Sequence, residues 1–458
     1  MKILIVGAGR FGSSVAENLV SERNDITVVD IHAGKLAYLQ ERFDLRVVHG
    51  DGSLPNVLEE AGAEDSDLIV ACAAHDAVNL VACKISRDLF NIPRRIACLR
   101  TSYYYHNADF AKESFGVDSI ISPENSVTDY LYSLIDFPEA LQMVEFANGR
   151  LSIMTLRVGR QSVLQKLKIN EHHLNLPDIN GRILEVIRHG EKLPLSRTFS
   201  LQADDEVVLV IDSREARKTI SRVHRQQQKV RSIMIAGGGN IGSRLASLLA
   251  DDNYNVRVIE SDKERCKHLA AKLPDEVLVL HGDATDESLL KNENIAEMDT
   301  WLALTSDDED NIMSSLLAKR LGARKVITLI TRQAYGELMQ GSMIDIAVSP
   351  AIASLGTLLH DVRQGAVVRG YKLHQGASEA VEFEVVGDEN DSNITGRKTS
   401  DVRWPRSSVL AAIIREDKVI IPEPDTVFKQ GDHVVIYATN RKVMERVEKL
   451  FQVKVLHF

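Results

Sequence analysis

Gly7-Ala8-Gly9-Arg10-Phe11-Gly12, directly after the short, mostly apolar run Lys2–Val6, is the stretch on which this sequence turns. After a strand and at the opening of a helix, three glycines at this spacing have separate physical tasks. Gly7 permits a tight turn, Gly9 lets the backbone come close to a phosphate, and Gly12 lets the helix lie against the sheet. The stretch occurs twice, because Gly237-Gly238-Gly239-Asn240-Ile241-Gly242 repeats it in the second half of the chain. Asp30 recurs as Glu260 at the same offset. His49-Gly50-Asp51 matches His281-Gly282-Asp283, Asn79 matches Asn311 and Arg100 matches Arg332, all at one slightly longer offset. Ser122-Pro123 and Asp205-Glu206-Val207-Val208 return at a slightly shorter offset as Ser349-Pro350 and Asp432-His433-Val434-Val435. An offset that drifts by so little over the chain marks a tandem duplication.

Within each half, short apolar runs alternate with amphipathic stretches. In the first half, strands are predicted at Lys2–Val6, Asp25–Asp30, Leu45–Val48, Asp67–Ala73, Arg95–Leu99 and Asp118–Ile121. A helix over Ala77–Phe90 carries Leu80, Val81 and Ile85 in period, and Pro123 starts another. Alternation of this kind specifies a doubly wound parallel α/β sheet of Rossmann type. After about residue 140 the rhythm changes to short strands at Val144–Phe146, Ser152–Val158, Ile183–Arg188 and Glu206–Ile211. A closing helix places Ala216, Ile220 and Val223 on one face, as Val443, Val447 and Leu450 do in the second half. Each half therefore reads as a Rossmann domain followed by a small α+β domain, over residues 1–123, 143–227, 232–348 and 368–453.

Composition narrows the function classes. At 458 residues, three or four domains are expected, and 44% hydrophobic with 26% charged residues fits a soluble globular chain. A formal net charge of -10 argues against nucleic acid as a partner. No apolar run approaches the roughly 18–20 residues that span a bilayer, and the apolar start breaks at Gly7, so a cytoplasmic location is expected. Cys72, Cys83, Cys98 and Cys266 form no Cys-x-x-Cys pair and read as buried free thiols, not as metal ligands. The basic stretch Arg214–Arg231 reads as a solvated helix face running into a linker, with a membrane-surface partner as the alternative. His172-His173 reads as an exposed loop pair.

The glycine turns point to a dinucleotide or ATP/ADP, whose phosphates would meet free N–H groups at a positive helix end. Asp30 and Glu260 would accept hydrogen bonds from the adenosine ribose, and a carboxylate there favours NAD(H) or ATP/ADP over NADP(H). Asp51 and Asp283 are placed either to cap the following helix or to touch ligand, with capping the simpler account. Arg100 and Arg332, at the carboxyl edge of the fifth strand, could clamp a further phosphate or be structurally paired. The halves differ: Ala303-Leu304-Thr305-Ser306-Asp307-Asp308 stands where the first half has Ala71-Cys72-Ala73-Ala74-His75-Asp76. Thr305 can hydrogen-bond a ligand and Ala73 cannot. No nucleophile–base motif and no Walker lysine accompany either pocket. An NAD-dependent oxidoreductase and a nucleotide-sensing scaffold for another transporter stay open as alternatives.

The order of GAGRFG, Asp30, HGD, Asn79 and Arg100, followed by a small α+β domain and then duplicated, resembles the tandem RCK (KTN) regulatory subunits of Trk-type potassium uptake systems. The resemblance covers the whole chain. It implies RCK_N and RCK_C parts in each half, and a cytosolic homotetramer without a transmembrane segment. It also implies docking on the cytoplasmic face of a membrane potassium transporter of the TrkH/TrkG type, gated by NAD(H) and/or ATP/ADP. The implied nucleotide residues are Gly7, Gly9, Gly12, Asp30 and Arg100, then Gly237, Gly239, Gly242, Glu260, Thr305 and Arg332. The remaining residues of both glycine stretches adjoin them. The first half departs from the family, with Ala73 and Ala74 where a hydroxyl is usual and Cys98 where a second basic residue is common.

Overall fold

The computed structural model describes residues 1–20, 24–101, 103–104, 107–160, 162–170, 174–176, 179–223, 230–339, 342–350, 353–354, 358, 367–374 and 377–452. His172-His173 lies outside them, as does the glutamine-rich end of the basic linker.

The first parallel sheet is built from β1 (Lys2–Val6), β2 (Asp25–Asp30), β3 (Arg46–His49), β4 (Leu68–Ala71), β5 (Arg94–Cys98) and β6 (Ser119–Ile121). Their order is β3-β2-β1-β4-β5-β6, so the order of winding reverses between β1 and β4 while the strands stay parallel. That reversal opens a crevice at the carboxyl ends of the strands. The helices are α1 (Arg10–Val20), α2 (Ala33–Arg42), α3 (Pro55–Glu60), α4 (Asp76–Asp88), α5 (Ala108–Phe115) and α6 (Pro123–Asp136). Leu68–Ala71 is buried throughout, as a central parallel strand must be. Val15, Ala16 and Leu19 of α1 pack on one sheet face with Ile3, Ile5 and Val70, while Leu80 and Cys83 of α4 pack on the other with Leu4 and Ile69.

An antiparallel sheet follows, from β7 (Ala140–Phe146), β8 (Leu151–Arg157), β10 (Gly181–Arg188), β11 (Glu191–Lys192) and β13 (Glu206–Asp212). Its order is β11-β10-β13-β8-β7, and β9 (Lys168–Ile169) pairs separately with β12 (Phe199–Ser200). Helix α7 (Ala216–Val223) buries Ala216 and Ile220 in this sheet's core.

The second half repeats the plan. Its parallel sheet is β14 (Ser232–Ala236), β15 (Asn255–Glu260), β16 (Leu278–His281), β17 (Thr300–Ala303), β18 (Lys325–Leu329) and β19 (Ile346–Val348), in the order β16-β15-β14-β17-β18-β19. Its helices are α8 (Asn240–Asp251), α9 (Lys263–Lys272), α10 (Glu287–Asn292), α11 (Asp308–Arg320) and α12 (Gln333–Leu338). The antiparallel sheet β20 (Val367–Leu373), β21 (Ser378–Glu384), β22 (Ser408–Arg415), β23 (Lys418–Ile420) and β24 (His433–Ala438) has the matching order β20-β21-β24-β22-β23 and is closed by α13 (Arg441–Glu448). One device is copied closely. Arg188 grips buried Asp205 through Nε and Nη2 at 2.7 and 2.8 Å, and Arg415 grips buried Asp432 at the same two distances. Such forked pairs lock a loop against a strand end.

The chain forms two compact units, Met1–Val127 with Pro350–Val362, and Thr128–Ser349 with Arg363–Phe458. Within the first, Leu358 from the second half is wholly buried in the core under β1 and α1. Within the second, the tail of α6 ties to the second Rossmann domain through Asp129–Arg244 at 3.5 Å and a Tyr132–Asp252 hydrogen bond. Lys325 Nζ donates to the carbonyls of Pro138 and Ala140 at 2.8 and 3.0 Å, and burial pushes its ammonium down to about 8. The two antiparallel sheets share a core in which Phe146 packs with Tyr371, and Arg182 donates to the carbonyls of Leu410 and Pro422. The basic stretch is largely paired where it is described, with Arg214 on Asp212 and Arg217 on Asp136.

Candidate nucleotide site

Each glycine turn sits where β1 or β14 ends beside the switch point. Gly7 has φ +106° and donates to the Val29 carbonyl at 2.7 Å, and Gly237 has φ +102° and donates to Ile259 at 2.8 Å. Side chains rarely adopt that conformation. A Cβ on Gly12 would stand 1.9 Å from the Gly7 oxygen, and one on Gly242 would stand 2.0 Å from the Gly237 oxygen. Gly9 and Gly239 behave differently, since a Cβ there would meet nothing within 4 Å. The third glycine is thus required by the protein's own packing, whereas the second faces open space above the helix N-terminus. Arg10-Phe11 and Asn240-Ile241 begin α1 and α8 directly below that space.

The acids at the ends of β2 and β15 are wired into these turns. Asp30 accepts from Ala8 N–H at 2.6 Å and from His32 N–H at 2.8 Å, and Glu260 accepts from Gly238 and Asp262 N–H, each at 2.9 Å. Burial opposes the charge on Asp30, but the N–H bonds from Ala8 and His32 outweigh it and hold the carboxyl below its ordinary range. Every carboxylate oxygen keeps lone-pair capacity for a hydroxyl. Gly238, where the first half has Ala8, is tighter: a Cβ would meet Leu269 Cδ1 at 2.2 Å.

Asn79 and Asn311 tie the loop after the fourth strand to the end of the fifth. Asn79 accepts from Ala73 N–H at 2.8 Å and donates to the Cys98 carbonyl at 2.8 Å. Asn311 accepts from Thr305 N–H at 2.9 Å and donates to Leu329 at 3.0 Å. The Thr305 hydroxyl is itself engaged, donating to Asn311 Oδ1 at 2.7 Å and accepting from Asp307 N–H at 3.3 Å.

Two expectations need correction. Asp51 and Asp283 do not cap the next helix. Each closes a local turn by accepting N–H and O–H from the residue two further on, Ser53 or Thr285, at 2.7–2.9 Å. Those bonds lower both carboxyls. Asp286 caps α10 instead, because the chain continues as a turn from Asp283 to Asp286 before the helix begins.

The second correction concerns the arginines. Strand pairing matches Ala71 with Ala97 in the first half and Ala303 with Thr328 in the second, so the offset between the halves shortens by one from β4 and β17 to β5 and β18. Arg100 is therefore equivalent to Thr331, and Arg332 to Thr101. Backbone bonds agree, since Asp76 accepts from Arg100 and Thr101 N–H while Asp308 accepts from Thr331 and Arg332 N–H, all at 2.8–2.9 Å. The two guanidiniums consequently point to different partners. Arg100 Nη1 donates to the carbonyls of Ala73 and Ala74 at 2.9 and 2.7 Å. Arg332 Nη1 donates to Glu309 at 2.8 Å and to Tyr335 Oη at 2.9 Å, with its guanidinium 5.1 Å from the Tyr335 ring centroid. Glu309, Tyr335, Asp76 and Asp308 escaped the sequence reading. The one signal available was the recurrence of Asp76 as Asp308, at the offset that Asn79 and Asn311 share.

With this geometry in place, comparison with known proteins is decisive. The TrkA-N domain family matches residues 3–123 and 233–350, and the TrkA-C domain family matches 384–452. The Trk system potassium uptake protein TrkA of Vibrio alginolyticus is 42% identical over 454 residues, 99% of either chain. Its namesake from Haemophilus influenzae is 43% identical over the same span and coverage. The chain belongs to the TrkA family. Among solved structures, the GsuK RCK domain superposes with a TM-score of 0.62 at 18% identity, over 98% of this chain and 94% of that one. The GsuK channel bound to NAD gives the same score and identity over 98% and 78%. Those likenesses establish the RCK fold. TrkA-N matches cover both glycine turns, both strand-end acids and Asn79 and Asn311. Among the described residues, no helix of this TrkA family member is long and apolar enough to cross a membrane.

Proposed function

We propose that this chain is the nucleotide-binding regulatory subunit of a Trk-type potassium uptake system, gating a membrane potassium-translocating subunit of the TrkH/TrkG type. The observation that carries the nucleotide part is the pairing of an open second glycine with a loop-anchored strand-end acid, present in both halves. A phosphate fits the space over Gly9 or Gly239, and a ribose diol fits Asp30 or Glu260. NAD(H) and ATP/ADP share that adenosine-diphosphate element, and both are regulatory ligands in this reading rather than substrates. The contributing residues are those of the two glycine stretches, with Asp30, Ala73, Ala74 and Arg100 in the first site. Glu260, Asp283, Thr305 and Arg332 complete the second. The relatives' names support the partner, and the RCK resemblance supports a homotetramer on the cytoplasmic face of the membrane.

A ligand shifts a conformational equilibrium only by its difference in affinity for the two states. A preference of about 1–3 kcal/mol per site, repeated over the sites of an oligomer, is enough to switch a gate. Potassium flux through proteoliposomes holding the membrane subunit, with and without this chain and with ATP, ADP, NAD or NADH, tests the proposal. Nucleotide-dependent flux that requires the chain is expected. Flux indifferent to the chain and to all four nucleotides would overturn it.

A further inference from the structure

Cys72 and Cys98 stand side by side beneath the first glycine turn. Cys72 follows β4 and Cys98 ends β5, and the register Ala71–Ala97 makes them the next pair along two parallel strands. Both thiols lie in the core cluster on the α1 face. Adjacent strands run about 4.8 Å apart, inside the Cα window of about 4.4–6.8 Å that a disulfide spans. Cys83 packs on the opposite face, its Sγ directed to the Ile96 carbonyl at 3.8 Å.

The pair is mechanically linked to the turn. Cys72 Sγ donates to the Gly7 carbonyl at 3.7 Å, and a Cβ at Gly12 would come within 3.0 Å of that sulfur. The Cys98 carbonyl accepts from Asn79, which also holds the Ala73 N–H. Packing alone does not demand thiols here. In the second half the register pair Ala303–Thr328 is followed by Leu304 and Leu329 at the same two places.

We propose that Cys72 and Cys98 form a reversible redox pair that couples hydroperoxide exposure to the first nucleotide site and leaves the second untouched. The Cys72 sulfur attacks one peroxide oxygen: the S–O bond forms, the O–O bond breaks, and sulfenic acid and water result. The Cys98 sulfur then attacks Cys72, forming S–S and breaking S–O, with a second water released. The net change is two thiols and one hydrogen peroxide to one disulfide and two waters. Both thiols are buried, so the step waits on opening of the Gly7–Gly12 turn, and a bound nucleotide slows it. Once formed, the bond draws the Cys72 sulfur toward Cys98 and away from the Gly7 carbonyl, loosening the turn. That coupling rests on the nucleotide assignment above.

The test uses the full chain, reduced and then treated with hydrogen peroxide. Peptide mapping after differential alkylation reads the thiols, and calorimetry with NADH and ATP reads the sites. Chains carrying Gly239→Glu or Gly9→Glu, substitutions into open space, isolate the first and second site respectively. A dithiothreitol-reversible Cys72–Cys98 peptide is expected, with affinity at the first site falling at least about five-fold and the second unchanged. Cys72→Leu and Cys98→Leu, the residues of the second half, abolish both effects while keeping the circular dichroism of the parent. Oxidation of Cys266 without any Cys72–Cys98 cross-link would overturn the pair. A cross-link that leaves first-site affinity intact would overturn the coupling. If the reduced chain binds no nucleotide at all, the nucleotide assignment fails, and the peptide map still decides the pair.

Discussion

Arg332 occupies the place that Thr101 holds in the first half, one residue beyond the counterpart of Arg100. Because of that single step, Arg100 closes on backbone carbonyls while Arg332 is held by the Glu309 carboxylate and the Tyr335 ring. The Glu309 carboxylate raises Arg332 above its ordinary range, so the cation is already ion-paired. Glu309→Gln leaves Arg332 without its carboxylate. We expect the second site then to bind ATP several-fold more tightly relative to NAD, with Arg332→Ala reversing the gain. Titration calorimetry with both nucleotides checks this.

Gly12 and Gly9 should separate packing from ligand contact. Alanine at Gly12 gains up to about 1 kcal/mol of helix propensity, but its Cβ lands 1.9 Å from a backbone oxygen that cannot yield cheaply. Net destabilisation of about 1–3 kcal/mol is expected, read as a lower denaturation midpoint. Gly9→Ala meets no atom, so its midpoint should stay within about 0.5 kcal/mol of the parent. A loss of nucleotide affinity in Gly9→Ala then reports the ligand itself. Unchanged affinity would argue against a phosphate at that position.

Asp30→Asn places an amide against two backbone N–H donors that now share one carboxylate. The cost should be about 1–3 kcal/mol at neutral pH. Its pH dependence has a definite sign. The folded carboxyl titrates below its ordinary value, so the stabilisation is complete above about pH 4 and disappears as acid carries the folded group through its own pKa. Parent and variant stabilities should therefore converge on acidification.

Lys325 acts in the opposite range. Burial lowers its folded value to about 8, so the unfolded chain holds the extra proton between there and the ordinary 10.5. Stability from this group must rise with pH across that window, by up to about 3 kcal/mol. In Lys325→Met the rise is lost, although the Pro138 and Ala140 carbonyls lose their donor. Parallel urea titrations at about pH 7.5 and about pH 10.5, which bracket that window, measure the rise.

The sheets, their strand order and the duplication were legible because buried parallel strands are short, continuous and apolar, and glycine turns punctuate them. The strand-end acids and the bridging asparagines were legible for the same reason, since each recurs at the offset of the strand beside it. The arginines were not. A one-residue difference lies between β4 and β5, and matching Arg100 to Arg332 by identity crossed it, whereas hydrogen-bonded register did not. Asp283 misled because its turn and a helix cap use the same short acceptor side chain, and only the distance to the first helical residue tells them apart. Leu358 was illegible in principle, since nothing local in a helix says which sheet it covers.

Leu358 carries a consequence for biosynthesis. A ribosome releases the first Rossmann strands long before it reaches residue 358, yet the core beneath β1 and α1 is completed by that leucine. The N-terminal unit therefore emerges without one of its core side chains, whereas leading domains ordinarily carry theirs with them. A chain cut short before Pro350 would present that gap in its apolar core to chaperones and proteases.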